Sequence, residues 1–412
     1  MIKRKIILAL TVLIFVLAGC AGNMEKTDVS GSEVMQLTQE EKLKDFEYMY
    51  TILEENYPYF EVNKRKNGID WMSKKSEYIS RIRATSDDEQ FFNVLQEILS
   101  ELNNGHTDML GKSFYTYCRN VYEDSGDSRA AWLDVLTDPK AVQRYETMTT
   151  SGEELGLSLN NPAKDNVKTS ILENNKTAYM SIDLFNYLGM DSDMKIIEPF
   201  LKSIKDYEKL IIDIRGNSGG SDSYWRQYLV PMLINSDVYD TKYIVYRGGS
   251  YMEPFFKCIT GSGYEGFKDI SNINNGSLTN MPPEVKQNFK YYSVNVRTYE
   301  PNNSVGFKGN IYLLIDKKVF SSSEGFAAFA KDTGFATLIG EATGGDGIGF
   351  DPIMCVLPNS GYIFRFPGEM GLSANGTCNF EHGTIPDIEV KTDKTPEIFE
   401  DEAVKTVLNL AD

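Results

Sequence analysis

Histidine is scarce in this chain: there are only two among 412 residues, His106 and His382. No H-E-x-x-H motif occurs, and the five cysteines include no C-x-x-C pair. A metal site needs clustered ligands, so none is expected, and no cofactor motif is found. Basic charge is also short. Lysine and arginine number 42 against 59 acidic residues, a net charge of −17. A nucleic-acid partner needs a basic footprint and is therefore not expected. The excess of negative charge favours solubility and does not identify a substrate. The N-terminal apolar run, Ile6 to Leu17, falls short of the roughly 20 residues of a membrane span.

What is present reads as ordinary globular protein, 41% apolar and 25% charged, long enough for two or three domains. Lys3, Arg4 and Lys5 precede the apolar run, and Ala18, Gly19 and Cys20 follow it, the pattern of a secretory signal. The run Leu17-Ala18-Gly19-Cys20 resembles a bacterial lipobox. That resemblance implies cleavage before Cys20, acylation of its thiol and a place in the cell envelope, anchored to the membrane. Residues 1–20 are thus assigned to the signal and 21–38 to a flexible tether. Cys118, Cys258, Cys355 and Cys378 allow three disulfide pairings or free buried thiols, and both readings stay open.

Leu43, Phe46, Tyr50, Leu53 and Tyr57 recur at 3–4 spacing and predict a helix stopped by Pro58. Trp71, Tyr78, Ile79 and Ile82 predict a second helix. Ser86-x-x-Glu89 predicts the cap of a third, carrying Phe91, Leu95, Ile98 and Leu102. Residues 39–110 are expected to form a small helical domain, and 111–165 an irregular connecting segment. From residue 166 to 395 strands and helices alternate, which predicts an α/β core. Within it, 221–305 reads as a loop-rich insertion. Residues 396–412 are expected to end the chain in a helix.

The strongest chemical signal is a strand, turn and helix around Val319-Phe320-Ser321-Ser322-Ser323-Glu324. A serine at a helix entrance lies where amide groups face developing negative charge. On the local pattern alone it reads first as a helix N-cap. Three further segments give it context: Asn104-Gly105-His106-Thr107, then Asp213-Ile214-Arg215-Gly216-Asn217-Ser218-Gly219-Gly220, and Glu381-His382-Gly383-Thr384-Ile385-Pro386-Asp387. In this order, with Gly340 to Gly345, they resemble the C-terminal-processing and tricorn-core serine peptidases over about residues 40–395.

The resemblance implies a crotonase/ClpP-like spiral α/β core preceded by the helical domain. It implies Ser321 as nucleophile and the amides of Gly219, Gly220 and Ser322 as oxyanion donors. No Gly-Leu-Gly carboxylate loop is found, so no PDZ module is expected. One branch of the family uses a Ser–Lys dyad, but Asp346 stands at the matching lysine position. The tricorn-like branch uses a histidine, matched by His106, and imidazole can accept a proton near neutrality. A carboxylate should orient it. The family pattern implies Glu381, and Glu324 is the other candidate. The serine that relays between base and carboxylate in the tricorn pattern is here Gly105. His382 reads as structural or as part of the substrate edge.

The expected activity is hydrolysis of peptide or protein substrates through an acyl-enzyme, without a cofactor. The alternative is a catalytically inactive relative that binds a peptide or a lipophilic ligand, as the retinoid-binding interphotoreceptor repeats do. A solute-binding lipoprotein would fit the anchor but would leave the Ser321 and Gly219 motifs unexplained. Oligomeric state is not legible.

Overall fold

The computed structural model describes residues 36–148, 165–273, 276–391, 394–395 and 397–411. The signal segment, Cys20, the tether through residue 35 and residues 149–164 lie outside them. Thr38 accepts the Glu41 amide while Glu41 reaches back to the Thr38 amide, and this reciprocal cap starts the helix Gln39–Asn56. Phe46, Met49, Tyr50 and Leu53 are buried along it. Tyr57, which precedes Pro58, leaves the helix in extended geometry.

Two local expectations are corrected. The helix Asp88–Ser100 is capped by Asp87, not by Ser86: Asp87 accepts the Gln90 amide at 2.8 Å, and the Ser86 hydroxyl donates to Asp87. A carboxylate at a helix N-terminus gains from the dipole as well as from the hydrogen bond. Within the segment expected to be irregular, residues 112–147 are mostly helical. They form the helices Lys112–Glu123, Ala130–Leu136 and Pro139–Thr147. Each buries only two or three side chains, among them Tyr115, Cys118, Trp132 and Tyr145, so no long apolar period stands out. Asp138 and Pro139 start the last of them by side-chain capping and a preset φ.

The α/β core is a six-stranded sheet. From one edge its strands are Ile388–Glu389, Thr337–Gly340, Asn310–Ile315, Lys209–Asp213, Thr177–Ile182 and Val167–Glu173. All neighbours run parallel except the last pair. Lys209–Asp213 lies in the middle and is buried throughout. Burying each of Leu210, Ile211 and Ile212 favours folding by roughly 1.5–3 kcal/mol. The helices Met190–Ser203 and Ser322–Thr333 share an apolar core with one face, through Ile197, Leu201, Phe326 and Phe329. The helix Glu402–Asn409 packs on the other through Ala403, Val404 and Val407.

The insertion is more regular than expected. Val238–Tyr246 and Tyr291–Tyr299 pair antiparallel over nine residues each. They form the middle of a second, four-stranded sheet. One apolar core runs from the N-terminal helices (Leu53, Trp71, Leu95) through Tyr246 and Phe256 of the insertion to Ile353 and Phe364. The N-terminal helices and the insertion therefore fold together. Cys118, Cys258, Cys355 and Cys378 are free thiols. Burial pushes Cys118, Cys355 and Cys378 up to about 12, which keeps them unreactive. Among the described residues no helix is long and apolar enough to cross a membrane.

Candidate active site

Ser321 follows the strand Asn310–Ile315 and stands at the N-cap position of the helix Ser322–Thr333. Its backbone, at φ 58° and ψ −126°, is in a region that L-residues rarely occupy. Its side chain makes no cap hydrogen bond. Ser323 is the serine engaged by the turn: its hydroxyl lies 2.6 Å from the Asn217 carbonyl and 2.8 Å from the Phe320 carbonyl. Ser321 Oγ is thereby left to His106, whose Nε2 is 3.0 Å away.

The glycine turn is pressed against this serine. A Cβ on Gly219 would sit 2.7 Å from Ser321 Cβ and 2.9 Å from the Ser322 amide nitrogen. A Cβ on Gly220 would sit 2.2 Å from the Phe185 carbonyl oxygen. Both glycines have positive φ, so space and backbone each demand glycine here. Asp316 Oδ1 accepts the amides of Gly216 and Lys318, which ties the two turns together. One expectation needs correction. The Gly219 amide already donates to Asn217 Oδ1 at 2.9 Å, so it is not a spare oxyanion donor. The amides of Gly220 and Ser322 make no hydrogen bond among the described residues.

His106 Nδ1 lies 2.8 Å from Asp346 Oδ2. A carboxylate can only accept, so this contact places the ring proton on Nδ1 and turns the Nε2 lone pair towards Ser321. Asp346 also accepts Asn104 Nδ2 at 2.8 Å and the Tyr59 hydroxyl at 3.0 Å. Asn104 in turn accepts the His106 amide, also at 2.8 Å. Burial raises the Tyr59 phenol well above its ordinary value, with the Asp346 charge adding to it, so Tyr59 remains a donor. The His106 ring packs on Phe320 at 4.6 Å. A Cβ on Gly105 would meet Phe320 Cζ at 3.0 Å, so a relay serine here would crowd that ring.

The carboxylate on His106 is thus Asp346, and both expected partners are corrected. Glu381 pairs with Arg65 through two hydrogen bonds, 2.9 and 2.7 Å, which hold its pKa down. Glu324 is buried and accepts Asn379 Nδ2 at 2.5 Å and Thr384 Oγ1 at 2.7 Å. Burial pushes it up to about 7. Asn379 also accepts the Gly347 amide at 2.8 Å, so Glu324 supports the turn that carries Asp346 from behind. His382 ends the short helix Asn379–His382 beside Glu381. Tyr59 was not marked in the sequence, and Asn104 only as part of the segment around His106, without a role. The only trace of Asp346 was a carboxylate where the dyad branch holds lysine. Among the described residues no group of three metal-ligating side chains gathers.

The model of Peptidase family S41 matches residues 176–390, and that of the tricorn protease C1 domain matches 38–100. Among solved structures, a putative peptidase from Parabacteroides merdae ATCC 43184 is 18% identical, with a TM-score of 0.55 over 89% of this chain and 95% of its own. Mature CPAF complexed with lactacystin is 14% identical, with a TM-score of 0.54 over 85% and 94%. These likenesses bear on the fold. No curated protein sequence matches the chain.

Proposed function

From the premise that the chain belongs to Peptidase family S41, a serine peptidase family, we propose that it is an exported, lipid-anchored serine endopeptidase of the Ser–His–Asp type. The observation that carries this reading is the chain of contacts from Asp346 through His106 to Ser321, 2.8 and 3.0 Å. Ser321 Oγ attacks the peptide carbonyl carbon as its proton passes to His106 Nε2. The carbonyl oxygen takes the electron pair and is met by the Gly220 and Ser322 amides. Asp346 stabilises the imidazolium. His106 then returns the proton to the departing amine nitrogen, the C–N bond breaks, and an ester remains on Ser321. Water attacks the ester carbonyl carbon as its proton passes to His106; the bond from that carbon to Ser321 Oγ then breaks, His106 returns the proton to Oγ, and the acid is released. The lipobox-like run ending in Cys20 supports export and anchoring in the cell envelope.

Labelling with a small fluorophosphonate and mapping the adduct by mass spectrometry tests the reading. The adduct is expected on Ser321, lost in Ser321→Ala and kept in Ser322→Ala. A protein that stays unlabelled across pH contradicts it.

A further inference from the structure

A small cavity lies against the catalytic turns, and the mechanism above uses none of its side chains. Trp225 and Arg226 stand on a π-helical turn, Tyr224–Leu229, a rare conformation that is frequent at functional sites. With Lys242, Arg297, Gly325 and Gly347 they line a cavity of about 20 Å³. Part of its wall belongs to the turns that carry Ser321 and Asp346. The Gly325 amide donates to the Ser321 carbonyl at 2.9 Å, and Gly347 follows Asp346 in the chain. A Cβ on Gly347 would sit 2.5 Å from that carbonyl oxygen.

The groups left over in the wall are donors. Trp225 is 1% exposed, and its Nε1 has no hydrogen-bond partner among the described residues. The Arg226 guanidinium lies 4.8 Å from the centre of the Trp225 ring. Its Nη1 pairs with Asp222 at 2.8 Å, while its Nε is buried without a partner. Arg297 makes no hydrogen bond or ion pair among the described residues. Asp240, opposite it in the strand register, pairs with Lys242 at 2.8 Å, and Asp332 pairs with Lys242 as well. Burial, and then the Arg226 charge beside it, hold the Arg297 guanidinium below its ordinary value. Two guanidiniums and an indole N–H can only donate; Asn295, also in the wall, can donate or accept. A water would accept from two of the three donors and bring no charge to offset the cations. An anion accepts from all three and offsets them. The space admits about one water-sized body, too little for a phosphate or the end of a peptide.

We infer that this cavity binds one monatomic anion, a halide such as chloride, between Trp225 Nε1, Arg226 Nε and the Arg297 guanidinium. Nothing in this site requires Ser321 to be a nucleophile. Chloride itself is the probe, added to the whole protein in place of gluconate at constant ionic strength. The chloride NMR line should broaden saturably, and bromide should reverse the broadening. At about 100 times its dissociation constant, chloride should raise the melting temperature by roughly 3 °C. Arg297→Gln should lose both effects. Trp225→Phe keeps an aromatic ring in the core and should weaken chloride binding roughly tenfold, the cost of one hydrogen bond to a charged group. Where Arg297→Gln does not fold, Trp225→Phe decides. A wild type that melts alike in chloride and gluconate, with an unbroadened line, holds water alone at this place and overturns the inference. Broadening of wild-type size and affinity in the variants puts the halide elsewhere and overturns it too.

Discussion

Asp346 and His106 stand 240 residues apart in the chain and 2.8 Å apart in the structure. Asp346 sits at φ 61° in a Gly-Gly-Asp-Gly turn, and His106 lies just beyond the N-terminal helices. Asn104 and Tyr59, both from the N-terminal segment, complete the shell around the carboxylate. The base and the group that orients it are thus held by segments brought together only by the whole fold.

Asp346→Asn keeps the size of the side chain but lets an amide face Nδ1, which favours the wrong tautomer. Acylation should fall by roughly 10²–10⁴ while the fold is kept. Stopped-flow acylation with an aryl ester measures this. A rate within threefold of wild type would show that Asp346 does not position His106.

Gly105→Ser tests whether a relay serine could be restored. Its Cβ would press on Phe320, the ring against which His106 packs. Acylation should therefore slow, and a faster reaction would contradict the reading of this position.

The sequence exposed the site unevenly, for physical reasons. Ser321, His106 and the glycine turn lie in short motifs that stand out as residue strings: Gly219 and Gly220 supply positive φ, and Ser321 opens a helix. The central strands were legible because Leu210 to Ile212 is an unbroken apolar run. Asp346 could not be recognised as a partner, because its role depends on pairing across 240 residues. Glu381 looked suitable by motif, but Arg65, from a distant helix, occupies it. The nine-residue ladder of the insertion was missed because its strands are half-buried and separated by 44 residues (247–290) of other structure.

Glu324 and Glu369 carry a stability signature. Burial raises them from the ordinary 4.5 to about 7 and about 8. Below about 4.5 folded and unfolded chains both hold these protons, and the contribution to stability is complete. As pH rises towards 7 and 8 only the folded state holds them, so stability is lost across that window. Glu324→Gln and Glu369→Gln should each flatten the fall in unfolding midpoint between about pH 5 and 8. Urea denaturation at several pH values measures it, and slopes equal to wild type would contradict the assignment.

Cys20→Ser tests the anchor. The lipobox-like run predicts loss of membrane partition or accumulation of the unprocessed chain. Fractionation that finds the variant processed and membrane-bound as before would remove lipid anchoring from the account.

The central claim is that His106 takes the proton from Ser321, and single-turnover acylation across pH in wild type and His106→Ala tests it most directly. The wild-type rate should fall on acidification, because imidazolium cannot accept a proton. His106→Ala should acylate roughly 10²–10⁴ times more slowly and lose that acid limb. If His106→Ala acylates at the wild-type rate with the same pH profile, the proposed mechanism is wrong.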